Sequence, residues 1–214
     1  PYLDDAKVYP PLGLLYLKSA VNQALPNVNV DLVDDYELKP ETFEPYDIIG
    51  LSVMTPQREE ARKVLLNIKT NFPDKVVVIG GPHALHYFND VEKDRVWINS
   101  YNQFSYNWDF IVPQDGQIPL ISILQGNKQR VIWNSMSKAE FASQPRPDRT
   151  SDKAIQFLKS YHYELQGVKA GTMLTATGCP QSCRFCEDAN TKVRWRDLET
   201  LSQEMEDLKG LGYR

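Results

Sequence analysis

Asp47-Ile48-Ile49-Gly50-Leu51-Ser52-Val53 and Lys75-Val76-Val77-Val78-Ile79-Gly80-Gly81-Pro82-His83 each begin with a nearly continuous apolar run and end in small or polar residues. A strand that alternates apolar and polar side chains buries one face. A run without alternation buries both, as parallel strands under helices do. Between the two runs, Ala61, Val64, Leu65 and Ile68 stand at i, i+3, i+4 and i+7, the spacing of one helix face, and Pro56 suits that helix's first turn. Strand, helix, strand in this order predicts an α/β domain with a parallel sheet.

Outward from this unit the pattern continues. Residues 12–25 have helical spacing (Leu14, Leu17, Val21, Leu25) between Pro10-Pro11 and Pro26, and residues 28–33 alternate as a short strand. A short helix is predicted over 84–90, strands over 109–112 and 130–133, and a helix over 118–124. The aromatic stretch Tyr101 to Phe110 reads best as a loop packed on a sheet. The α/β domain is thereby assigned to 1–134. No strand precedes the first helix, so the chain is expected to be truncated there or its sheet to be built differently. Residues 135–168, with Pro145 and Pro147, read as a linker holding one short helix within 152–165. Residues 171–177 are predicted as a strand. Leu198, Leu201, Met205 and Leu208 mark the apolar face of a helix from near Asp197 to just before Gly210.

Composition sets outer bounds. The chain has 214 residues, 42% hydrophobic and 24% charged, in the range of ordinary globular domains. No apolar run reaches 18 residues, so no membrane span is expected. Pro1 to Asp5 carry neither a basic nor an apolar targeting segment, so no secretory signal is expected. A net charge of −4 argues against a nucleic-acid partner. Three free thiolates suit the reducing cytoplasm.

All three cysteines, Cys179, Cys183 and Cys186, fall within eight residues. Thiolates so close together read as ligands for a soft metal centre. Three readings follow from the residues. Structural zinc wants four ligands, usually from separated knuckles, and no second knuckle is present. Inert buried thiols are normally scattered through a core. An iron–sulfur cluster is held by cysteine thiolates, and three of them leave one iron open to a substrate or cofactor.

Gly178-Cys179-Pro180-Gln181-Ser182-Cys183-Arg184-Phe185-Cys186 resembles the C-x3-C-x-aromatic-C signature of the radical S-adenosylmethionine superfamily. The resemblance implies that Cys179, Cys183 and Cys186 hold a 4Fe–4S cluster whose fourth iron chelates S-adenosylmethionine. It implies that Phe185 lies near both and shields the cluster from water. It also implies that reductive cleavage yields a 5′-deoxyadenosyl radical, the electron coming from a flavodoxin or ferredoxin. Lys192, Arg194 and Arg196 then stand close to the cofactor, although a solvated charge cluster is the commoner arrangement.

Tyr9-Pro10-Pro11-Leu12-Gly13-Leu14-Leu15-Tyr16-Leu17, Ile49 to Thr55 and Val78 to His83 resemble the cobalamin-binding-type domain that precedes many radical S-adenosylmethionine cores. Gln114-Asp115-Gly116-Gln117 resembles that family's G-E-G-E turn with two departures. Ligands of open α/β sheets lie beyond the C-terminal strand ends, where Ser52, Thr55, Gly80 and Gly81 stand. With His83 these are the candidate cobalamin contacts. The competing reading of Gly80-Gly81 is a tight turn alone. No Asp-x-His-x-x-Gly motif is present to ligate cobalt, and His83 and His86 read as loop or surface residues.

The expected architecture is therefore a flavodoxin-like (Rossmann-like) domain at 1–134, a linker at 135–168 and, from 169, the first βα unit of a partial TIM-type barrel. The substrate class is a small molecule or a peptide. The chain is expected to be a fragment at both ends, inactive alone. The rival function is a non-catalytic α/β binding module with zinc, or nothing, in the cysteine loop.

Overall fold

Each apolar run becomes a strand of one parallel sheet, the second run at its centre and the first at its edge. The computed structural model describes residues 9–34, 38–85, 108–161, 164–186 and 188–213. In chain order its elements are α1 (Leu12–Ala24), β1 (Ile48–Ser52), α2 (Arg58–Asn71), β2 (Val76–Gly80), β3 (Phe110–Ile111), α3 (Gln117–Leu124), α4 (Lys138–Ser143), α5 (Asp152–Leu158), β4 (Glu164–Leu165), β5 (Val168–Lys169), β6 (Ala176–Thr177), β7 (Arg194–Trp195) and α6 (Leu198–Gly210). The chain divides into two compact units, Asp34–Ser135 and Pro1–Val33 together with Met136–Arg214. This boundary departs from a 1–134 domain, because the first helix packs with later residues.

In the unit Asp34–Ser135, β1, β2 and β3 form a parallel sheet in that order, Ile48 facing Val76 and Ser52 facing Gly80. Val131 adds a single parallel bridge to Ile111 where a strand over 130–133 is predicted. The pleat sorts the side chains by parity. Ile49, Val77, Ile79 and Ile111 join Leu65 and Ile68 of α2, while Val78 and Val112 join Ile123 of α3 on the other face. Fully burying a Leu or Ile side chain contributes about 1.5–3 kcal/mol, so Leu65 and Ile68 account for much of the hold of α2 on the sheet. Lys69, in the last turn of α2, bonds the Asp109 carboxylate at 2.7 Å, and the same oxygen accepts the Val77 N–H at 2.7 Å. Residues 82–85 begin a helix, as predicted. The rest of 86–107, including His86 and most of the aromatic stretch, lies outside the described residues.

In the other unit, Leu15 of α1 packs on Ala154 and Leu158 of α5, with Leu32 beside them. Residues 28–33 form no strand, contrary to their alternation. Leu32 enters this cluster, and Lys18 takes the Val30 carbonyl at 2.9 Å. The stretch 135–168 carries more order than a linker. Ser137 and Glu140 close a reciprocal capping box at the start of α4, at 3.2 and 2.7 Å. Ser151 caps α5 through the Ala154 N–H at 3.3 Å, and β4 and β5 pair as a hairpin.

Two further expectations are corrected. Of the strand predicted over 171–177 only β6 forms, and it pairs antiparallel with β7. The Thr172 carbonyl is taken by the Arg149 side chain at 2.5 Å. The described residues thus show an antiparallel ribbon where the first parallel barrel strand was expected. Helix α6 does not bury Leu198 and Met205, which are 81% and 60% exposed; it buries Glu204 and Leu208.

Candidate iron–sulfur loop

The β6–β7 ribbon lifts residues 178–193 as one loop. Gly178 makes the first turn at φ +88°, and a Cβ there would lie 2.2 Å from the Lys192 carbonyl oxygen, so only glycine fits. Thr191 pins the base. Its hydroxyl accepts the Cys179 N–H at 2.9 Å and donates to the Asp188 carbonyl at 2.6 Å, while its own N–H reaches the Cys179 carbonyl at 2.9 Å. The Asn190 N–H closes on the Gln181 carbonyl at 2.8 Å, and the Cys186 N–H on the Cys183 carbonyl at 3.2 Å.

All three cysteines are free thiols. Cys183 and Cys186 are exposed and Cys179 is partly buried. Among the described residues, no three His, Cys, Asp or Glu side chains are gathered closely enough to hold a metal. The donor set fits a soft metal or iron–sulfur centre in chemistry: three unoxidised thiols on one loop with a fixed base. The loop as folded does not converge its sulfurs, and ligation itself commonly completes such sites. Phe185 projects into solvent at 92% exposure, so it shields nothing in this conformation.

The other candidate residues gather at one sheet edge. Ser52 and Gly80 face each other at the C-terminal ends of β1 and β2, and Thr55 opens the turn before α2. The Val53 N–H bonds the Gly80 carbonyl at 2.9 Å, and the His83 N–H bonds the Val53 carbonyl at 2.9 Å. Gly81 stands at φ +86°, and a Cβ on it would lie 2.7 Å from the Val53 nitrogen. Close packing of two strand-end loops therefore explains Gly81 by itself. His83 is buried rather than a surface residue.

Two features escaped the sequence reading. The first is a cleft of about 710 Å³ in the unit containing α1 and α6, lined by Asn22, Gln144, Arg146, Thr200, Gln203 and Asp207 among others; none of the cysteines borders it. Its wall carries an Arg146–Asp207 pair at 2.5 Å. The second is a buried network. Glu204 accepts from Arg149 Nη2 at 2.9 Å and from the Tyr16 hydroxyl at 3.2 Å. The Arg196 guanidinium lies 4.8 Å from the centre of the Tyr16 ring. Burial, reinforced by the Glu204 charge and opposed by Arg196, holds the Tyr16 hydroxyl well above the usual tyrosine range. No spacing rule points to these residues, because their partners lie far apart in the chain.

Among the described residues no helix is long and apolar enough to cross a membrane. No family model matches the chain. Over 95% of its length it is 26% identical to an uncharacterized methyltransferase of Pyrococcus horikoshii, of which it covers 46%. Over 96% of its length it is 25% identical to an anaerobic magnesium-protoporphyrin IX monomethyl ester cyclase of Cereibacter sphaeroides, covering 36% of it. The cyclase of the same name from Rubrivivax gelatinosus is 28% identical over 77% of the chain, which covers 30% of it. The chain thus spans less than half the length of these curated relatives. The N-terminal domain of a hypothetical protein from Thermotoga maritima aligns in structure over 63% of this chain and 98% of its own length, with a TM-score of 0.38 and 16% identity. In sequence, then, the chain is similar along most of its length to proteins named as enzymes, a methyltransferase and two cyclases.

Proposed function

We propose that this chain carries the cluster-binding segment of a radical S-adenosylmethionine enzyme, joined to an α/β unit of cobalamin-binding type. The observation that carries the reading is the set of three free thiols, Cys179, Cys183 and Cys186, spaced C-x3-C-x2-C on one loop. Similarity to enzymes named for methyl transfer and ring closure supports it.

In this reading the three thiolates hold the cluster, Gly178 and Thr191 fix the base of their loop, and Phe185 closes over it once the sulfurs converge. When bound, a 4Fe–4S cluster supplies an electron for cleaving S-adenosylmethionine to methionine and a 5′-deoxyadenosyl radical, with a flavodoxin or ferredoxin as donor. Ser52, Thr55, Gly80, Gly81 and His83 form the edge against which cobalamin docks, His83 contributing from within the packed loop rather than as an exposed cobalt ligand. The substrate is a small molecule or peptide, the reaction methyl transfer or ring closure, and the compartment the reducing cytoplasm.

Anaerobic reconstitution with iron and sulfide tests the redox part. The expected product is brown, with a thiolate-to-iron absorption band that bleaches under dithionite. A colourless protein retaining zinc supports the rival reading, a binding module with a structural metal. Hydroxocobalamin is expected to co-elute with the protein on gel filtration; complete separation would remove the cobalamin part alone.

A further inference from the structure

Arg196 is 3% exposed, and among the described residues its Nε, Nη1 and Nη2 have no hydrogen-bond partner. A buried guanidinium without an acceptor is costly, because it has given up its hydration for nothing. Two contacts hold it in place. Its N–H bonds the Thr175 carbonyl at 2.9 Å, extending the β6–β7 ladder by one residue, and its guanidinium lies against the Tyr16 ring.

The charges around Tyr16 do not cancel. Arg149 and Arg196 are both buried, and the Glu204 carboxylate is engaged by Arg149 and Tyr16. Lys18 and Asp148 balance each other at 3.4 Å. Asp197, next in sequence, is exposed and feels the Arg196 charge, but its carboxylate bonds the Thr200 N–H at 3.0 Å and hydroxyl at 3.2 Å at the start of α6. Arg196 is left as a buried guanidinium with no hydrogen-bonded carboxylate among the described residues, beside a helix N-terminus that adds to the local positive potential. Two more buried atoms in this network, Arg149 Nε and Thr172 Oγ1, also have no partner among the described residues.

We propose that Arg196 is the receptor for a carboxylate group brought by a small organic acid. A guanidinium offers parallel N–H pairs in its plane, which match the two oxygens of a carboxylate, while its face is covered by the Tyr16 ring. The acid enters by local opening of the segment after β7. Its binding braces the ribbon that carries the cysteine loop, and it does so independently of any metal on that loop.

The test is the melting temperature of the whole chain in sodium formate against sodium chloride at equal ionic strength. A saturable rise of about 3 °C in formate alone is expected, the scale set by a ligand that binds only the folded state of a chain this size. Arg196→Met is expected to abolish the formate response, and Arg196→Lys to weaken its half-saturation about tenfold, since lysine lacks the planar fork. Equal responses of the wild type to the two salts would overturn the proposal, as would a normal formate response in Arg196→Met. The wild-type comparison decides alone if neither variant folds.

Discussion

Replacing Glu204 by leucine is expected to destabilise the unit built on α1 and α6 by about 3–5 kcal/mol, the usual cost of removing one partner from a buried ion pair. Glu204 is fully buried, Arg149 is 2% exposed, and they meet at 2.9 Å. The variant leaves the buried Arg149 guanidinium and the Tyr16 hydroxyl without their carboxylate. The urea midpoint measures the loss. The double variant Arg149→Met, Glu204→Leu is expected to recover most of it, because two apolar side chains remove the orphaned charge along with its partner. Met205→Ser, one position along on the exposed side of α6, should change stability by no more than about 0.5 kcal/mol. A loss below about 1 kcal/mol for Glu204→Leu would contradict the buried pair.

Cys183→Ala is the second large effect, and it separates binding from folding. Cys183 is exposed, and its carbonyl accepts from the Cys186 N–H. Losing its sulfur should leave the urea midpoint within about 0.5 kcal/mol of wild type, as for other surface changes. Iron retained after reconstitution and desalting should nevertheless fall to background, because a cluster held by three thiolates does not survive on two. Ser182→Ala, in the same loop but without a ligand atom, is the control and should keep its iron. Retention of full iron by Cys183→Ala would show that the cysteine triplet is not the ligand set.

How much of this was legible in sequence depends on whether the cause was local. The runs at 47–53 and 75–83 admit one reading, because side chains apolar on both faces need cover on both faces, and α2 on one face and α3 on the other supply it. Residues 28–33 alternate well, yet a strand needs a neighbour and local pattern does not provide one. On α6 the apolar residues suggested the buried face. A glutamate took that place because Arg149, 55 positions away, neutralises it, and no periodicity detects such a pairing. The capping box of α4 was legible, since Ser137-Lys138-Ala139-Glu140 has its spacing, but the prolines after it drew the reading toward a linker. For the site, the cysteine spacing was legible, while the arrangement of the sulfurs was not, because metal and loop settle that geometry together.

Iron, acid-labile sulfide and zinc counted in the anaerobically reconstituted wild-type chain test the central claim most directly. The account predicts about four irons and four sulfides per chain and no zinc, the content of one 4Fe–4S cluster. One zinc per chain, with iron and sulfide at background, would contradict it.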